Sequence, residues 1–307
     1  MRVCADCART RPRCRECNIP MAGPAPDSAA GPGLCATCSR SLKVCLACGR
    51  PVKGRYYSFD GVGPYCAECR RSRPPCDVCG APLTQEYWQL SDGRLTCATC
   101  HATAVYSPEA AAGLYDEIKA VVAGDLDLRL NIPTGLALVD RNQLRQVIEQ
   151  QLAPGNGGRS AARLAQPPPP SDARPLPVHP LDADNTLGLY ARRGMRRGIY
   201  IQTGLPRLLF LQIAAHEYAH AWQGENCPML RDPLIHEGFA EWVAYRVVSH
   251  YGYERGLERM RKRQDIYGDG LRWALDLEQR FGPPSVVEAC RRQQVDRSQP
   301  GSWGQPG

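Results

Sequence analysis

A chain of 307 residues and 33.8 kDa is long enough for one substantial core plus smaller modules, so more than one domain is expected. No apolar run approaches the ~20 residues that a membrane span needs, and the opening Met1-Arg2-Val3-Cys4-Ala5-Asp6 lacks the apolar core of a secretory signal. The expectation is a soluble, cytoplasmic protein with no membrane partner.

Sixteen cysteines call for either disulfides or metal. Fourteen of them form Cys-x-x-Cys pairs, a spacing suited to two thiolates gripping one metal ion rather than to an extracellular disulfide framework. The exceptions, Cys227 and Cys290, read as buried thiols without chemical consequence. The pairs also repeat: Cys4, Cys35, Cys66 and Cys97 are 31 positions apart, and Cys14, Cys45 and Cys76 keep the same step. Gaps of seventeen and six residues alternate between pairs. The longer gap suits a zinc ribbon, where two knuckles close a tetrahedral site across a hairpin. Cys14 and Cys17 therefore pair with Cys35 and Cys38, Cys45 and Cys48 with Cys66 and Cys69, and Cys76 and Cys79 with Cys97 and Cys100.

The intervening residues support a hairpin in the second and third units. Tyr56-Tyr57-Ser58-Phe59-Asp60-Gly61 and Tyr87-Trp88-Gln89-Leu90-Ser91-Asp92-Gly93 each place strand-forming aromatics before Asp-Gly. The first unit, from Ala22-Gly23-Pro24 to Gly31-Pro32-Gly33, reads as a floppy loop, so its site is the weakest expectation. Cys4 and Cys7 match the closing half of a unit whose opening half would lie before Met1; otherwise they are two free thiols of a decayed half-repeat. His101, next to Cys100, is a spare candidate ligand but reads more simply as a surface residue.

Arg70, Arg71 and Arg73 beside the knuckles and the formal charge of +7 raise the question of nucleic acid. Residues 1 to 103 hold fourteen Lys/Arg against eight Asp/Glu, and each zinc tetrathiolate carries about −2. Three such sites leave the region near neutrality. A protein partner or a spacer role is favoured over nucleic acid.

From residue 104 the pattern becomes helical. Ser107-Pro108-Glu109 opens a helix through Leu114, Ile118 and Val121. Leu136 to Val139 reads as a strand, with a helix from Asp140 to Gln151. Pro154 to Pro180 is a proline- and glycine-rich segment expected to be mobile. Leu187 to Arg192 and Gly198 to Thr203 read as a hairpin, its second strand a candidate edge for an extended substrate. Gly204-Leu205-Pro206 is expected to start a helix running through His220. The peptidase domain is placed at 104–295, with a flexible tail at 296–307.

His216-Glu217-Tyr218-Ala219-His220 puts two imidazoles one helical turn apart on one face, the arrangement that binds one zinc. Glu217 reaches from the adjoining face and can act as general base toward a water made acidic by the metal. Seventeen positions later, His236-Glu237-Gly238-Phe239-Ala240-Glu241 offers Glu237 as the third ligand of a His2Glu site. Glu241, one turn on, can accept a ligand histidine's other N–H. An oxyanion donor is also needed; Tyr245, His250, Tyr251, Tyr253 and Tyr267 are all downstream, and Tyr267 on a glycine-rich turn is the best placed of them.

Gly204-Leu205-Pro206-Arg207-Leu208-Leu209, Ala215-His216-Glu217, His220-Ala221-Trp222 and Glu237-Gly238 resemble the peptidase domain of plant organ-size regulators that join a LIM domain to a gluzincin-type protease, the DA-one family. The resemblance spans roughly residues 104 to 290. It implies His216, His220 and Glu237 as zinc ligands and Glu217 as base, with a protein or peptide substrate. The cysteine modules are LIM-like at most, since six residues separate their sites and every paired ligand is cysteine. No acidic ubiquitin-interacting helix accompanies them, so ubiquitin dependence is not carried over. The expected fold is α+β: three zinc ribbons, then a mostly helical gluzincin-type peptidase with a small antiparallel sheet, and about four zinc ions, three structural and one catalytic. The rivals are an adaptor whose peptidase-like domain does not cut, and a nucleic-acid binder.

Overall fold

The structure is a computed structural model describing Cys4 and residues 10–15, 17–21, 33–52, 55–59, 62–152, 186–193 and 196–292. It is α+β, and the chain divides into two compact units, Met1–Ala102 and Thr103–Gly307. Cys7, the turn at Asp60-Gly61, most of the first loop, the proline-rich 154–180 segment and the 296–307 tail lie outside the described residues.

The first unit repeats a small motif. It contains α1 (Ala36–Ser41), β1 (Lys43–Val44), β2 (Pro51–Val52), β3 (Tyr57–Phe59), β4 (Val62–Tyr65), α2 (Ala67–Ser72), β5 (Tyr87–Gln89), β6 (Leu95–Cys97) and α3 (Ala98–Ala102). The hairpins expected from the aromatic runs are present: β3 pairs with β4 and β5 with β6, both antiparallel. The Cys-x-x-Cys turns reuse one backbone device. Asn18, Gly49 and Gly80 have φ of 55°, 70° and 74° and return their N–H to the carbonyls of Cys14, Cys45 and Cys76. Glycine, or the asparagine that tolerates this left-handed region, is what such a turn requires. The buried side chains form three small clusters in which the cysteines are themselves core residues.

The second unit contains β7 (Ala104–Val105), α4 (Pro108–Leu126), β8 (Gly135–Val139), α5 (Arg141–Leu152), β9 (Gly188–Arg193), β10 (Arg196–Gln202), β11 (Leu205–Pro206), α6 (Arg207–Asn226), α7 (Pro233–His250), α8 (Glu254–Arg261), α9 (Ile266–Phe281) and α10 (Pro283–Arg292). Ser107 caps α4 by accepting the Ala110 N–H at 3.0 Å, with Pro108 following where a missing donor costs nothing. Asp140 and Gln143 cap α5 reciprocally, at 2.8 and 2.9 Å.

The sheet differs from expectation in two respects. Its order is β8-β10-β9, with β8 parallel and β9 antiparallel to β10, so it is mixed. The strand at Gly198 to Thr203 is therefore central, and the edge beside the helices belongs to β9. A parallel pair needs a crossover, and α5 lies in the chain between β8 and β10. The helix expected at Gly204 starts instead at Arg207, because Leu205 and Pro206 pair antiparallel with Val105 and Ala104.

α6 and α7 are buried on nearly all sides, and one continuous core runs from Val105 through Phe210, Trp222, Phe239 and Trp242 to Cys290. Such helices are apolar all round, so every polar residue on them needs a partner. α7 and α9 touch at glycines: a Cβ on Gly238 would lie 2.7 Å from the backbone of Gly270. That close approach carries the start of α9 onto the residue after Glu237.

Candidate metal centre

Among the described residues, four groups of side chains could hold a metal ion: Cys14, Cys17, Cys35 and Cys38; Cys45, Cys48, Cys66 and Cys69; Cys76, Cys79, Cys97 and Cys100; and His216, His220 and Glu237. The cysteine sets follow the pairing expected from the seventeen-residue gap, including the first unit.

Each tetrad repeats the same contacts. Cys35, Cys66 and Cys97 donate their backbone N–H to the sulfurs of Cys14, Cys45 and Cys76 at 3.3, 3.3 and 3.4 Å. Cys17 and Cys35, Cys48 and Cys66, and Cys79 and Cys97 have sulfurs 3.7, 3.9 and 3.8 Å apart. Four sulfurs ~2.3 Å from one tetrahedral ion lie about 3.8 Å from one another, so the spacing fits. Backbone donors favour thiolate. Burial alone would raise the Cys45 thiol, but the N–H groups of Cys66, Ala47 and Cys48 pull it down to about 6. His101 is not among the ligands; it stacks on Trp88 with ring centroids 4.2 Å apart.

The fourth set joins α6 to α7. His216, buried, and His220, half-buried, are one turn apart, and Asp232 caps α7 through the N–H groups of Leu234 and Ile235, which sets where Glu237 emerges. His216 Nδ1 is 3.2 Å from Glu241 Oε2, and His220 Nδ1 is 2.8 Å from Gln223 Oε1. With both Nδ1 atoms turned to these partners, the Nε2 atoms face one another 3.0 Å apart. Glu237 Oε2 is 3.4 Å from each of them. Two imidazole nitrogens and a carboxylate oxygen converge there, and a cation, proton or metal, between them satisfies all three. Two ligands ~2.1 Å from one zinc at the tetrahedral angle lie about 3.4 Å apart, so this triangle too has the dimensions of a metal site.

The electrostatics agree. Burial works against a charged His216, but its hydrogen bonds to Glu237 and Glu241 and the nearby Glu217 charge outweigh that and lift it to about 10. Burial likewise opposes an ionised Glu237, yet His220 and hydrogen bonds from His216, His220 and His236 hold it far below the usual carboxylate range. A field that retains a proton on a buried imidazole also attracts a metal cation.

Glu217, on the next face of α6, is buried and accepts the backbone N–H of Tyr190 on β9 at 2.7 Å. Glu241 is almost fully buried, where Gln212 Nε2 donates to it at 3.2 Å and Arg263 approaches within 3.6 Å. Tyr267 is in the first turn of α9 rather than on a free turn, its ring 5.7 Å from that of His216. Burial and the Glu237 charge push its hydroxyl up to about 12, so it is a donor at neutral pH. The other downstream candidates are engaged elsewhere: Tyr251 donates to Glu117, His250 faces Asp125, Tyr245 meets Arg261 and Tyr253 packs beside Tyr251.

Two residues escaped the reading of the sequence. His236 stacks on His220 with centroids 4.4 Å apart and places its Nδ1 3.1 Å from Glu237 Oε1, holding the oxygen that does not face the imidazoles. Gln223 is almost fully buried and touches His220. Its position three after His220 put it on the same helical face, which was the one available signal. No family model, curated protein or solved structure matches the chain.

Proposed function

We propose that the second unit is a zinc-dependent endopeptidase and that the cysteine tetrads are structural zinc sites serving protein interaction. The reading rests on one observation above all: two imidazole Nε2 atoms and a carboxylate oxygen converge within 3.0–3.4 Å while both Nδ1 atoms are turned to other partners. His216, His220 and Glu237 make a His2Glu donor set, which suits zinc and leaves a coordination position open. The motif residues of α6 and α7 that resemble the DA-one peptidases are the same ones that converge.

Zinc held there would act as Lewis acid toward a substrate carbonyl and make water a nucleophile at neutral pH. The protein's residues supply the rest. Glu217 takes the proton of the attacking water and returns it to the leaving amine. Tyr267, protonated and beside His216, donates a hydrogen bond toward the carbonyl oxygen as it gains charge. β9 is one edge of the sheet, and its Tyr190 N–H reaches Glu217, so an extended peptide added to that edge passes the base. Glu241 orients His216 through Nδ1.

Glu217→Gln tests the chemistry. The amide cannot accept a proton, so hydrolysis should fall by a factor of roughly 10²–10⁴ while elemental analysis still finds the ion. Comparing protein termini in cells carrying wild type or Glu217→Gln would identify substrates. The same protein termini in both would leave an adaptor that binds without cutting.

A further inference from the structure

The two ligand histidines are held differently. His216 hands its Nδ1–H to a carboxylate, Glu241, whereas His220 meets the amide of Gln223. An amide is ambiguous, because either end can face an imidazole nitrogen. Here the second helix removes the ambiguity. Gln223 Nε2 is 2.9 Å from the backbone carbonyl of His236 and 3.6 Å from Cys290 Sγ. A carbonyl only accepts, so the NH2 end must face α7 and the oxygen must face His220. The proton between Gln223 and His220 then belongs to Nδ1, and Nε2 carries the lone pair toward His216 and Glu237.

We propose that Gln223 is a positioning residue that relays the His236 main-chain carbonyl to His220 and so sets the tautomer in which His220 can hold a metal ion. α7 on this view does two things for the site at one point of its first turns: it supplies Glu237 and, one residue earlier, prepares the histidine on α6. The tie also fixes the two helices in register at the ligands, since one buried side chain bonds a group on each. A carboxylate at 223 would serve His220 equally well but would oppose the His236 carbonyl with a second acceptor. A hydrocarbon would serve neither. The inference rests on the zinc reading for its consequence but not for its geometry.

The test uses the full-length chain with its cysteine sites loaded. A mild chelator is titrated against it while zinc per chain is counted, and, after the fourth ion has left, the His220 ring nitrogens are read by 15N NMR, where six histidines in the chain keep the spectrum tractable. Wild type should show His220 protonated at Nδ1. Gln223→Leu should release that preference and weaken retention of the fourth ion by about 10- to 100-fold. Gln223→Glu, which keeps the acceptor for Nδ1 but sets a second acceptor against the His236 carbonyl, should preserve the tautomer while weakening retention less than Gln223→Leu does. Cys290→Ala, which removes the sulfur contacts to Gln223 and Cys227 but keeps the His236 carbonyl, should leave both readings unchanged. Equal losses in the Leu and Glu variants, a comparable loss in Cys290→Ala, or an unaltered Nδ1–H in Gln223→Leu would overturn the relay and leave Gln223 a packing residue. A wild type that never holds a fourth ion yet keeps His220 protonated at Nδ1 would instead sink the zinc reading and support the relay.

Discussion

The two units bring metal-binding side chains together by opposite routes. In the first, the clusters around Cys14, Cys45 and Cys76 contain few apolar side chains, strands are two to four residues long, and the sulfurs themselves fill the centres. So little burial cannot offset the entropy of ordering the chain. In the second, His216, His220 and Glu237 project from helices already buried in one large core, and their other polar atoms are bonded to Glu241, Gln223 and His236. A metal ion would be part of the fold in one unit and a guest in the other.

The largest effect follows from that contrast. A strong chelator acting on the full chain should unfold Met1–Ala102, since structural zinc contributes about 10–16 kcal/mol per site, and leave the helices of Thr103–Gly307 protected. Hydrogen exchange followed along the chain would read both, with about four ions per chain counted before chelation. Collapse of both units together would erase the distinction.

Within the second unit the two carboxylates of α7 sharpen it. Glu237→Ala removes the oxygen that completes the triangle and should empty the site. Glu241→Ala removes only the partner of His216 Nδ1 and should weaken zinc by about 10- to 100-fold. Competition titration of the two variants separates the roles, and the reverse order of effects would exchange them. Neither change should alter the ion count of the cysteine sites.

Gly238→Ala probes the packing beneath the site. Its Cβ would lie 2.7 Å from Gly270 backbone, so α7 and α9 must part, at a cost of about 1–3 kcal/mol, and Tyr267 moves with α9. A lowered melting temperature of the second unit with the cysteine sites still loaded is expected; unchanged melting would mean that the helices do not meet there. The smallest effect is Ser107→Ala, which removes the cap on α4 and should cost about 1 kcal/mol, seen in the same melt.

Some of this was legible in residues alone because it is local. A Cys-x-x-Cys turn, a hairpin of seventeen residues and a 31-residue step bring their own sulfurs together, so the three tetrads could be paired before any fold was known. Two histidines four apart on a helix share a face wherever the helix goes. Ser107 announced its helix through capping chemistry within three residues.

Tertiary structure decided what depends on residues distant in the chain. β9, and not the strand after it, lies at an edge, because β8 takes the far side of β10, a pairing that no local pattern signals. Leu205 and Pro206 were drawn from a helix into a strand by pairing with Val105 and Ala104. Cys227 and Cys290 read as inert buried thiols; both are buried, but packing sets their sulfurs 3.4 Å apart and Cys290 against Gln223. The same holds at the metal centre. Its ligand types were visible in the amino-acid sequence, while the partners that turn each imidazole toward a common point, Glu241, Gln223 and the His236 carbonyl, act through hydrogen bonds whose geometry exists only once α6 and α7 are packed.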